Sequence, residues 1–97
     1  MLTSKQRSYL RSLANTMNPI FNIGKGGIEE NLLKQLEEAL EARELIKIAV
    51  LNNSDLTSKE AIQIISEKIK CEPVQAIGNK MVIYKRSKDK PKIELPK

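Results

Sequence analysis

An α/β domain of order α-β-α-β-α-β-β, with a four-stranded mixed sheet packed with helices, is the fold class that the sequence predicts. Three observations carry it. Apolar residues recur at helical spacing in three separate stretches. Runs of β-branched and apolar residues stand between and after those stretches. A glycine-first pair, Gly78-Asn79, joins the last two runs as a tight two-residue turn does. Two strand–helix–strand crossovers followed by a hairpin satisfy this order.

The first helix is expected over residues 3–16, where Tyr9, Leu10, Leu13, Ala14 and Met17 share a face and Thr3 or Ser4 offers a cap. Its polar face holds Lys5, Arg7, Ser8, Arg11 and Ser12. Asn18-Pro19 breaks it, because the residue before proline avoids the helical region. "IFNI", residues 20–23, then reads as a short strand.

Beyond a glycine-rich turn, Ile28, Leu32, Leu33, Leu36, Ala39 and Leu40 form an apolar stripe through a second helix at 29–42, with Glu37, Glu38 and Glu41 on its outer face. "ELIKIAVL", residues 44–51, is apolar on nearly both faces and predicts an interior strand. Thr57 and Glu60 have capping-box spacing, with Leu56 and Ala61 placed for a hydrophobic staple, so a third helix starts there and runs to about residue 70. Pro73 is expected to close it. "VQAI" and "KMVIYK" supply the final hairpin.

With 97 residues and 40% apolar content, one compact domain is expected over residues 1–86, followed by a basic, proline-containing tail at 87–97. The tail is expected to be extended or mobile, with Ile93 and Leu95 as the residues able to pin it. Short apolar runs and a polar N-terminal segment predict neither a signal peptide nor a membrane span, hence a cytoplasmic protein, and nothing suggests more than a monomer.

The single cysteine, Cys71, excludes an internal disulfide or a thiolate metal cluster within the chain. Histidine is absent, which removes imidazole proton shuttles and the commonest metal ligand. The carboxylates are scattered as on a solvated surface. A non-catalytic protein without metal, cofactor or small-molecule substrate is therefore expected.

Charge is strongly polarised: residues 1–27 carry a net +4, 28–46 a net −4, 47–79 none and 80–97 a net +5. Two basic regions flanking an acidic helix suit a polyanionic partner if the fold brings them together.

Gly24-Lys25-Gly26-Gly27 is the most distinctive local motif. It fails the nucleoside-triphosphate pattern, in which lysine follows the last glycine, and the dinucleotide fingerprint, whose third glycine is replaced by Glu29. It fits G-x-x-G, in which glycines let the backbone approach phosphates and a basic side chain adds charge. Glu29 and Glu30 in the following first turn complement the helix dipole and oppose an anion there. Lys25 and the amides of Gly26 and Gly27 are thus the expected contacts, supported by Arg7, Arg11, Lys80, Lys85 and Arg86.

"MLTSKQRSYLRSLA", "NIGKGGIEENLLKQLEEALEARELIKI" and "VQAIGNKMVIYKRS" together resemble the bacterial CRM-domain proteins, the YhbY-type RNA-binding family. The resemblance implies a domain similar to the C-terminal domain of translation initiation factor three. It also implies RNA binding and association with precursors of the large ribosomal subunit, with ribosomal RNA as the partner. Carried over, the loop falls on Gly24, Lys25, Gly26 and Gly27, and the basic surface on the first helix, with Lys5, Arg7 and Arg11, and on the final hairpin. The family's loop tends to carry two side chains in its middle and Ser or Thr as the following cap, where this chain has Gly26 and Glu29.

Aromatic content of only 3% disfavours a base-stacking platform and favours backbone and shape recognition. The alternative function is a protein-interaction adaptor using Glu37, Glu38 and Glu41 of the acidic helix.

Overall fold

A computed structural model describes residues 2–97. Its elements follow the expected order: α1 (Ser4–Ala14), β1 (Phe21–Ile23), α2 (Glu30–Arg43), β2 (Leu45–Val50), α3 (Ser58–Ile69), β3 (Glu72–Ile77) and β4 (Lys80–Tyr84).

Two of the three helices begin with a reciprocal side-chain cap. At α1, Thr3 Oγ1 accepts the Gln6 N–H at 3.1 Å and Gln6 Oε1 accepts the Thr3 N–H at 3.0 Å. Thr57 and Glu60 repeat the device at α3. Such a cap stabilises a helix by about 1 kcal/mol because it satisfies amides that have no intrahelical acceptor. Helix α2 differs: its N-cap, Glu29, is extended and makes no side-chain cap hydrogen bond.

The sheet order is β1-β2-β4-β3, with β1 parallel to β2 and the other neighbours antiparallel. Strand β2 is interior, and apart from half-buried Lys47 its side chains are buried on both faces. Ile46, Ile48 and Val50 point to one core, shared with Ile23, Met81 and Ile83 of the sheet, Leu36 and Leu40 of α2, and Ile65 and Ile69 of α3. Leu45 points the other way, with Val74, Val82 and Tyr84, against Leu10 and Ala14 of α1. The result is three layers: α2 and α3, the sheet, and α1. Each fully buried leucine or isoleucine contributes about 1.5–3 kcal/mol relative to exposure.

Pro73 does not close α3. The helix ends where Lys70 turns left-handed, with φ 54°, and Pro73 lies within β3. That strand is at the sheet's edge, where a missing N–H is tolerated, and its register shifts between Pro73 and Gln75.

The segment after β4 lies against the domain, and two glutamates hold it. Glu44 is fully buried, at 0% exposure, and its carboxylate accepts the backbone N–H groups of Ser87 at 2.8 Å, Lys92 at 2.6 Å and Ile93 at 2.8 Å. Glu41, expected on an outer face, accepts the Ser87 hydroxyl and the amides of Lys88 and Asp89. Ile93 and Leu95 pack on the α1-side core, and the Pro96 carbonyl accepts a hydrogen bond from Gln6 Nε2 at 3.0 Å. The apolar residues that sequence pattern picked out do pin the tail, with carboxylate help that pattern did not suggest.

Burial raises the Glu44 pKa, but the hydrogen bonds from Ser87, Ile93 and Lys92 outweigh it and the net shift is downward. Glu44 also has φ 66°, a left-handed conformation that glycine adopts with less strain.

Candidate nucleic-acid interface

The glycine loop leaves the C-terminal end of β1 beside the end of β2, where the Leu51 amide donates to the Ile23 carbonyl at 2.8 Å. A hydrogen bond from Gly27 N–H to the Gly24 carbonyl, 3.0 Å, closes the turn. Gly27 has φ 71°, so glycine is needed there for conformation. Lys25 stands exposed at the tip. A Cβ at Gly26 would lie 2.6 Å from Glu29 Oε1, so the Glu29 carboxylate folds back over the loop. A shallow depression beside the loop is lined by Asn22, Gly24, Gly26, Gly27, Glu29 and residues of early α2.

The basic residues are spread along the length of the sheet rather than gathered at one end. Arg7 and Arg11 are one turn apart on the same flank of α1, and Arg7 Nε donates to the Pro73 carbonyl of the edge strand at 3.3 Å. This flank leads to Asn15, which lines a second concavity with Lys47, Gln75, Ile77, Lys80 and Val82. Lys80 lies in register with Ala49, which pairs in turn with Asn22, two residues before the glycine loop. With strands about 4.8 Å apart, Lys80 sits two strands from β1, near the loop end of the sheet.

Lys85 and Arg86 lie at the other end of β4, about 17 Å from Lys80 by strand rise. The Lys85 ammonium donates to the Ile69 carbonyl at 3.2 Å, at the C-terminus of α3, where the helix dipole favours a cation. Arg86 faces a groove between α1 and the tail, with Tyr9, Leu13 and Lys92. Lys5 is exposed near the start of α1, away from the loop. The structure thus places Lys80 near the loop end, holds Arg7 at Pro73, opposite Ile83 toward the other end, with Arg11 one turn further along α1, and puts Lys85, Arg86 and Lys5 away from the loop.

One cation escaped the sequence reading. Lys47, in the middle of apolar β2, shares the α1-side face with Leu45 but stands beyond the cover of α1, half-exposed. Its signal in the sequence is a lone lysine inside "LIKIAV", which period-2 alternation assigns to one face.

Cys71 is buried, and burial raises its thiol pKa, with the Ser66 hydroxyl nearby. That suits a packing residue, since the thiolate is the reactive form. Among the described residues, no helix is long and apolar enough to cross a membrane.

A layered α/β domain whose first strand feeds a glycine turn beside a basic sheet face defines the class. The CRS1 / YhbY (CRM) domain profile matches residues 2–85, and the chain belongs to that family. The chain is 48% identical over 96 residues to the "Probable RNA-binding protein YqeI" of Bacillus subtilis, covering 99% of this chain and 100% of that protein. It is 36% identical to a Haemophilus influenzae protein named RNA-binding protein, over 99% of this chain and 96% of the relative. The solution structure of a Staphylococcus aureus candidate RNA-binding protein superimposes with a TM-score of 0.82 at 54% identity, covering 99% of this chain and 100% of that one.

Proposed function

We propose that the protein is a non-catalytic RNA-binding protein that contacts structured ribosomal RNA and assists assembly of the large ribosomal subunit. The observation that carries the RNA reading is the exposed Gly24–Gly27 turn, with Lys25 at its tip and Lys80 near the same end of the sheet. Backbone amides and a few cations suit phosphate contacts, which position RNA without reading bases. The names of the relatives support RNA as the ligand. The ribosomal part of the reading rests on the family resemblance.

The RNA-contacting residues in this reading are Gly24, Lys25, Gly26 and Gly27 with Arg7, Arg11 and Lys80. Lys5, Lys85 and Arg86 form a second basic area at the far end. Residues 1–86 act as the RNA-binding domain and 87–97 as its basic tail, in a cytoplasmic monomer.

Sedimentation of a cell extract through a sucrose gradient, with and without ribonuclease, tests this. Ribonuclease-sensitive co-migration with large-subunit precursors is expected; ribonuclease-resistant association with a protein would overturn it in favour of the adaptor. The structure weakens that alternative, since Glu41 is already engaged by Ser87, Lys88 and Asp89.

A further inference from the structure

We propose that the concavity beside the C-terminal end of α1, on that side of the sheet, is a second contact site for the same RNA and takes a single-stranded segment leaving the glycine loop. The proposal rests on the RNA reading above and extends it to residues outside the loop.

Three observations carry it. Helix α1 ends at Ala14, and its buried core on this face extends no further than the Leu45–Tyr84 row and Val82. Two cross-strand rows follow in register: Lys47–Val82–Gln75 and Ala49–Lys80–Ile77. Lys47 and Lys80 are diagonal neighbours on the same face, about 7–8 Å apart at Cα by sheet geometry. Both half-exposed ammonium-bearing chains border one concavity, and its lining contains no carboxylate among the described residues.

The chemistry of the lining selects the occupant. Two cations suit a phosphodiester backbone, which carries a negative charge at every link. Ile77, 64% exposed, offers an aliphatic surface for the face of a base or ribose. The Asn15 and Gln75 amides each provide donors and an acceptor, suited to base edges or a 2′-hydroxyl. Bases can enter a concavity only from an unpaired strand, because duplex RNA hides them in a deep, narrow major groove. An aliphatic surface in place of an aromatic one implies tolerance of sequence.

Lys80 Nζ donates to Asn79 Oδ1 at 3.0 Å, so it is held at the hairpin tip, next to the end of β2, where the Val50 amide donates to the Asn79 carbonyl. A strand crossing from β1 to β3 would meet the loop first, then Lys47, then Lys80, then Ile77.

The test uses the full chain and an unstructured uridine hexanucleotide, followed by heteronuclear NMR and by binding isotherms at several salt concentrations. The expected result is shifts at Lys47, Gln75 and Ile77 together with Gly26 and Gly27. Lys47→Gln with Lys80→Gln should weaken affinity about tenfold and lower the salt slope by roughly 1.4, the value for two lost single-strand phosphate contacts. Lys34→Gln, on the outside of α2, should leave both unchanged, and circular dichroism checks that the double variant is folded.

Shifts confined to residues 24–27, with the double variant binding as before, would overturn the sheet-face site and leave the loop reading intact. No shift anywhere on adding RNA would overturn both. Equal shifts at Lys47 and Ile77 with a glutamate hexapeptide would assign the face to an acidic protein segment and overturn the RNA assignment.

Discussion

Lys25 and Glu29 set the charge of the glycine loop in opposite directions. Lys25 is the loop's only charged side chain among residues 24–27, exposed at the turn. Lys25→Ala is expected to weaken RNA binding about equally across sequences and to reduce the salt slope by roughly one unit; an unchanged slope would remove Lys25 from the interface. Glu29 stands at an N-cap with no side-chain cap bond and folds toward Gly26, where it repels phosphate. Glu29→Ser supplies a hydroxyl cap and removes that charge. It should stabilise the fold by about 0.5–1 kcal/mol in urea denaturation and tighten RNA binding roughly two- to fivefold, as expected for a charge at a helix terminus. Loss of affinity on that substitution would mean that Glu29 shapes the loop in a way its charge does not explain.

At the scale of elements, the tail is the segment with the clearest energetic role. Its amides satisfy the Glu44 carboxylate, and Ile93 and Leu95 cover the core formed by Leu10, Leu45 and Tyr84. Ending the chain after Arg86 leaves a buried carboxylate without three donors and exposes an apolar edge. A loss of roughly 2–5 kcal/mol is expected, from stranded polar groups and lost burial. Urea titration of the truncated chain measures it, and unchanged stability would show that the tail is not tied down in solution.

Element identity was largely legible in the sequence because local rules decide it: apolar period for the helices, capping-box spacing at Thr57, two-sided apolarity for β2 and the glycine turn at Gly78. What escaped depends on distance along the chain. Glu41 and Glu44 meet residues more than forty positions later, as in the Ser87 N–H to Glu44 bond separated by 43 residues, and no local pattern announces that. Pro73 sits inside a strand only because that strand is at an edge. Lys80 and Lys85 read as one basic hairpin, yet a strand extends far enough to put them at opposite ends. Lys47 drew no notice within apolar β2, because only the position of the end of α1 leaves that side chain half-exposed.

For the molecule as a whole, these carboxylates predict how stability responds to acid. Glu41 and Glu60 are held below the usual range chiefly by backbone amide donors, Lys88 and Thr57 respectively, and Glu44 by its three amides against the effect of burial. A depressed folded-state pKa stabilises the fold above the unfolded value of about 4.3, and the contribution is lost as pH falls through the folded pKa. The melting temperature should therefore be flat near neutrality and fall below about pH 4.5. Glu44→Gln should lie below the parent at pH 7 and converge with it at low pH, where the parent's own carboxyl is protonated. A constant gap across pH would show that the substitution acts through packing rather than charge.

The bond between Gln6 and the Pro96 carbonyl, separated by 90 residues, closes the chain on itself. During synthesis, the α2–α3 side of the sheet contains only residues up to Ile83 in its buried core and has its partners early. Helix α1, though made first, has its complete landing site only once Ile93 and Leu95 have emerged. The packing around α1 is thus completed only by the end of the tail, and a fusion partner attached after Lys97 would sit beside that helix.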